Sequence, residues 1–138
     1  MADIVANVRM WVVAILKSDS QVRANFGSPV VFSGGLQSAP VGQGVFIDPG
    51  STANPEDEFS SRVQLTLRCI KSGTRDDAHK SHYSVVGAMD RSKSKNWAVT
   101  NPAVRFVRVS TAAGVDSISP TNNLWESIIR LDVVIVDV

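Results

Sequence analysis

Arg62-Val63-Gln64-Leu65-Thr66-Leu67-Arg68-Cys69-Ile70 alternates without a break: Val63, Leu65, Leu67 and Cys69 fall on one side, Arg62, Gln64, Thr66 and Arg68 on the other. Successive side chains of a strand point to opposite faces, so this stretch reads as a β-strand with one face in a core and the other wet or against a partner. Such a strand needs neighbours along its edges and a second layer over its apolar face. Both have to come from the flanking sequence.

Upstream, Val45-Phe46-Ile47 reads as a strand that stops at Asp48-Pro49-Gly50, and Ser28-Pro29-Val30-Val31-Phe32, closed by Ser33-Gly34-Gly35, as another. The two are expected to pair as a hairpin with a long loop. Gly50 to Ser61 combines breakers with the acidic run Glu56-Asp57-Glu58 and is expected to be an exposed loop. Near the N-terminus Ile4, Val5, Val8, Trp11, Val12 and Ile15 recur at i, i+3, i+4, the stripe of an amphipathic helix. Asp3 is its expected N-cap, Ser18 and Asp19 break it near Lys17, and Gln21 to Asn25 adds a helical turn ended by Gly27.

Downstream, Thr74 or Asp76 caps a helix that runs to about Arg91 with the apolar stripe Ala78, His82, Val85, Val86 and Met89. Ala103 to Ser110 alternates imperfectly, which predicts a strand with a bulge or two covered faces. After Gly114 and Pro120, Trp125 to Val138 alternates Ile129, Leu131, Val133 and Ile135 against Ile128, Arg130, Asp132, Val134 and Val136, a strand partly buried on both sides. The order predicts an α+β fold, a mainly antiparallel sheet with two helices packed on one face. No repeat or linker divides residues 1–138, so a single domain is expected.

At 43% hydrophobic, 20% charged and net charge +1, the chain has a core-forming composition and no overall field for nucleic acid or anionic lipid. No stretch offers the roughly 20 apolar residues of a membrane span, and the N-terminal helix, broken by Asn7 and Arg9, lacks the layout of a signal peptide. The lone Cys69 rules out an internal disulfide. Its place among Val63, Leu65 and Leu67 reads as a buried structural thiol; a hydrolase using Cys69 with His79 or His82 is the alternative from another class.

Asp76-x-x-His79-x-x-His82 invites a metal reading, but each three-residue step turns the helix by about 300°, so the outer members diverge by roughly 120°. The pattern reads instead as one core-edge and one surface histidine, with no metal site. No phosphate loop, dinucleotide fingerprint or nucleophile elbow occurs, and no cofactor is expected. Glu56, Asp57 and Glu58 are a candidate contact for a basic partner. Arg91, Lys93 and Lys95, followed by Trp97, look like a small nucleic-acid patch, though Asp76, Asp77 and Asp90 dilute it; a nucleic-acid-binding module is a third reading.

Over nearly the whole chain these patterns resemble the tail terminator (tail completion) proteins of long-tailed bacteriophages. The resemblance lies in the helix Ile4-Val5-x-x-Val8-x-x-Trp11-Val12, the extended segments ending at Phe46-Ile47-Asp48-Pro49, and the strand Arg62 to Arg68. It continues through the helix Asp76 to Arg91 and Trp125-Glu126-Ser127, which leads into the strand Ile128 to Val136. Gly34 to Gly44 and Pro49 to Asn54 fall outside it, and neck or head-completion proteins of similar size share its features. The resemblance implies a non-enzymatic virion protein at the tail–neck junction, assembled in the host cytoplasm. It implies a homohexameric ring that caps the tail tube, stops its polymerisation and offers a head-attachment surface. Its partners would be its own copies, the tube protein, neck or connector proteins and, where the tail is contractile, the sheath protein; no membrane or small-molecule substrate is implied. Within that reading Glu56, Asp57, Glu58, Arg91, Lys93, Lys95 and Trp97 are complementary or tube-facing contacts.

Overall fold

A computed structural model describes residues 4–27, 31–33, 43–47, 52–55, 60–92, 104–119, 121 and 123–136. Its elements are α1 (Ile4–Ser18), α2 (Ser20–Phe26), β1 (Val31–Ser33), β2 (Gly44–Ile47), β3 (Thr52–Pro55), β4 (Ser60–Ser72), α3 (Arg75–Ser92), β5 (Val104–Ser119) and β6 (Leu124–Val136). The fold is α+β, and every strand pair except β1 with β2 is antiparallel.

β4, the alternating strand, lies mid-sheet in the order β1-β2-β4-β6-β5. β6 lines one of its edges throughout, from Ser60 opposite Val136 to Ser72 opposite Leu124. β2 and β3 divide the other edge. Ile47 stands opposite Leu67 and Thr52 opposite Gln64, a step of five residues from β2 to β3 against three along β4. A two-residue offset keeps the period-two alternation in phase, whereas an offset of one would reverse the faces of β3.

One face of the sheet carries the core. Val63, Leu65, Leu67 and Cys69 of β4, Ile129, Leu131, Val133 and Ile135 of β6, Val45 and Ile47 of β2 and Val107 of β5 are buried there. Val8, Trp11, Val12, Ile15 and Leu16 of α1, Val22 and Phe26 of α2, and Val85, Ala88 and Met89 of α3 cover them. Each buried Val, Leu, Ile, Phe or Met among them contributes about 1.5–3 kcal/mol relative to exposure, far more than helix propensity does, so the apolar stripes decide which way the helices face. No helix among the described residues is long and apolar enough to cross a membrane.

Several expectations are corrected. β1 and β2 are not a hairpin: they run parallel, with Val31 opposite Val45. The ten residues between them are enough chain to return to the starting end, and alternation carries no information about strand direction. The expected loop Gly50 to Ser61 contains β3 and the first residues of β4; Thr52 to Pro55 find hydrogen-bond partners on the half of the β4 edge that β2 leaves uncovered. β5 does not stop before Gly114 but continues to Ser119, through register shifts at Val104/Phe106, Thr111/Ala113, Ala113/Asp116 and Ser117/Ser119. Those irregularities are what blurred its alternation. The expected cap Asp3 and the strand start at Ser28 to Val30 lie outside the described residues.

The turn before α3 is specified locally. Asp77 N–H donates to Thr74 Oγ1 (3.2 Å) while the Asp77 carboxylate accepts from Thr74 N–H (3.1 Å), a reciprocal cap that holds the Asp77 carboxyl below its usual pKa. Gly73 precedes it at φ +124°, and a Cβ there would stand 2.8 Å from Asp77 Oδ2. Gly73 also joins two turns: its N–H donates to the Asn123 carbonyl (2.9 Å), and its own carbonyl accepts from Trp125 Nε1 (2.8 Å). Gly73→Ala combines a disfavoured φ with loss of cap geometry, and is expected to cost about 1–3 kcal/mol, read as a lowered urea midpoint. An unchanged midpoint would show that the turn relaxes freely.

Candidate functional site

The sheet face away from the helices is built by the other half of each alternation. Across β4, β6 and β5 it presents the rows Gln64–Asp132–Arg108 and Thr66–Arg130–Ser110. Gln64, Arg108, Ser110 and Arg130 are exposed. Nearer the Ser72 end, Arg68 Nε donates to Glu126 Oε2 (3.1 Å) on the diagonal between rows. This ion pair is partly open to solvent, which limits it to about 1 kcal/mol or less. The face is not polar throughout: Phe46, Ile70 and Val134 are also on it and are 1%, 2% and 6% exposed. It thus combines charged and polar side chains with buried apolar ones.

A concave surface lies between α2 and α3. Asp19 caps α2 by accepting from Gln21 N–H and Val22 N–H, both at 3.0 Å. At its other end Lys71 Nζ donates to the Asn25 carbonyl and Gln43 Nε2 to the Phe26 carbonyl (2.9 Å), cations and amides meeting carbonyls that the helix leaves open. Thus fixed, α2 and α3 enclose a groove of about 680 Å³ lined by Gln21, Asn25, His79, Lys80, Tyr83, Ser84 and Gly87. Tyr83 is 66% exposed, a large aromatic left in solvent. Among the described residues no acidic side chain lines the groove.

Beneath it the helix is pinned to the sheet by a buried polar network. His82 Nδ1 lies 2.8 Å from Ser127 Oγ on β6, and His82 Nε2 lies 3.2 Å from Thr111 Oγ1 on β5. Burial, with the nearby His79 adding a little, pushes the His82 pKa down, so the neutral ring bridges the two hydroxyls. Cys69 stands opposite Ser127 in register, and burial pushes its thiol up to about 12. That is the opposite of the lowered pKa that activates a nucleophilic cysteine.

The Asp-x-x-His-x-x-His residues are not brought together. Asp76 is exposed, His79 lines the groove and His82 is buried below. Among the described residues no group of three His, Cys, Asp or Glu could hold a metal ion.

Glu56, Asp57, Glu58, Lys93, Lys95 and Trp97 lie outside the described residues, and of Arg91 only the helical backbone near the end of α3 is described. The flanking strand ends are nonetheless defined. Pro55 pairs with Ser61, Ser60 with Val136, and Val104 with Ile135. Hence the acidic connection 56–59 and the end of connection 93–103 attach to the same end of the sheet, about two strand spacings or 10 Å apart. Sequence reasoning missed the groove. The signal was Tyr83, an aromatic residue that falls off the apolar stripe of α3.

No family model and no curated protein matches this sequence. A chain in the solved structure "Virion of native gene transfer agent (GTA) particle" is similar, with a TM-score of 0.67 and 12% identity, covering 98% of this chain and 99% of that one. At that identity the likeness is one of fold, and its coverage makes it a likeness of the whole architecture.

Proposed function

We propose that this chain is a structural virion protein that acts through contacts and not catalysis, and specifically a tail terminator. In that role it forms a hexameric ring that caps the tail tube, ends its polymerisation and offers the head-attachment surface. The observation that carries the proposal is the end-to-end fold likeness to a chain of a gene transfer agent virion. The sequence resemblance to tail terminators supports the finer role. The physics is compatible: a tube grows by repeated heterologous contacts, and a ring that matches the last layer on one face and mismatches it on the other ends the growth. The exposed mixed-charge sheet face and the charged connections at the Ser60 end supply different surfaces for tube and neighbour. Glu56, Asp57 and Glu58, with Arg91, Lys93, Lys95 and Trp97, are the contact residues of this reading.

Light scattering across a concentration series, with negative-stain images of the same fractions and added tail tubes, tests the role. Hexameric rings, formed alone or on tube ends, are the expected result. A protein that stays monomeric or dimeric and binds no tube overturns it. Rings that bind the head connector but leave tubes uncapped assign the neck role instead.

A further inference from the structure

We infer that the groove between α2 and α3 is the acceptor for the acidic segment Glu56-Asp57-Glu58 of a second copy of this chain. The inference rests on the ring reading above and names the contact that would close the ring. The groove offers Lys80 and His79, the side-chain amide of Gln21, that of Asn25 with one N–H given to the Gln21 carbonyl, and the exposed ring of Tyr83, with no carboxylate among the described lining residues. Asp76 and Asp77 lie one turn before Lys80, but neither is among the described groove-lining residues, and the Asp77 carboxylate is held in its cap bond to Thr74. A run of three carboxylates is the complementary ligand: ammonium and amide groups donate to carboxylate oxygens, and the aromatic ring covers the aliphatic part of a glutamate.

The topology makes this contact one between molecules. Tyr83 is next to His82, which is bonded to Ser127, and Ser127 stands opposite Cys69. From Cys69 to Ser60 is nine residues of strand, roughly 30 Å at 3.3 Å per residue. The acidic connection has four residues, 56–59, between Pro55 and Ser60, so it reaches at most about 7 Å beyond the strand ends. It therefore cannot fold back into its own groove. An acidic connection attached at one end and an acceptor groove near the other are two different patches. Joining such patches head to tail gives a closed ring when the rotation between copies closes.

A charge-swap series on the full chain, read by light scattering, tests the contact. Lys80→Glu alone, and Glu56→Lys with Asp57→Lys and Glu58→Lys, are each expected to weaken self-association by about tenfold or more, the equivalent of 1.4 kcal/mol. Combining the two sets is expected to restore at least part of that loss. Circular dichroism melts of each variant separate lost association from lost folding. As a second readout, a Tyr83→Cys chain mixed with an Asp57→Cys chain, both carrying Cys69→Ser, is expected to give disulfide-linked heterodimers under mild oxidation. Rings that persist through both reversals, with no heterodimer formed, overturn the groove contact while leaving the ring reading intact. A wild-type chain that never self-associates, with or without tubes, overturns both.

Discussion

Leu67→Ala lowers the unfolding free energy by about 2–5 kcal/mol, because Leu67 is fully buried at the centre of the sheet and truncation loses both its transfer energy and the packing of the space it fills. Against a total of roughly 5–15 kcal/mol for a domain, that is a large share. The urea midpoint is expected to fall with the denaturant slope unchanged, since the same surface is exposed on unfolding. Gln64→Ala, on the opposite and exposed side of the same strand, is the control and is expected to stay within about 0.5 kcal/mol. Equal losses at the two positions would contradict the division of β4 into a core face and an open face.

His82→Ala is the second large effect. It removes a buried ring and leaves Ser127, 3% exposed, without its imidazole partner, at a combined cost of about 2–4 kcal/mol. A pH series isolates the titration of the ring from its packing. The folded-state pKa of His82 is depressed below the 6.5 of the unfolded chain, so its contribution is fully present above about pH 6.5. That contribution is lost as pH falls through 6.5 toward the folded pKa, because the unfolded chain takes up the proton first. His82→Gln, which keeps a hydrogen-bonding side chain, is expected to show a flatter stability profile between pH 5 and 6.5. Asp77 does not blur this window, since its cap bonds to Thr74 hold its carboxyl below the usual carboxylate range. A variant with the same acid-side slope as the parent would show that His82 is not the group responsible.

Much of the architecture was legible residue by residue. The faces of β4 and β6, the stripes of α1 and α3, and the boundary near Asp19 follow from short-range periodicity, capping chemistry and the two options for Thr74 and Asp76, of which the structure uses Thr74. β5 was legible only in its first half, because each register shift interrupts the alternation that marks a strand, and Gly114 reads as a break when its neighbours on β6 are unknown. β3 was missed for a related reason: Thr52-Ala53-Asn54-Pro55 has no strand signature, and its pairing follows from the edge that β2 leaves uncovered.

The candidate site divides in the same way. Charge clusters such as Glu56-Asp57-Glu58 are visible in sequence, but a groove needs two helices side by side, and nothing in α2 or α3 alone specifies the other. Trp125-Glu126-Ser127 shows the difference most clearly. As a sequence it is the entry to a strand; in the fold Trp125 donates to Gly73, Glu126 accepts from Arg68, and Ser127 meets His82.

By itself, then, the sequence determined which faces are apolar, where helices begin, and that the fold is α+β, because period, capping and turn chemistry act over a few residues. The direction of β1, the filling of the β4 edge by β3, the reach of β5 and the meeting of α2 with α3 were decided only by the tertiary structure. Those outcomes depend on hydrogen-bond edges and apolar surfaces far apart in the chain competing for the same partners, and no local pattern encodes the result of that competition.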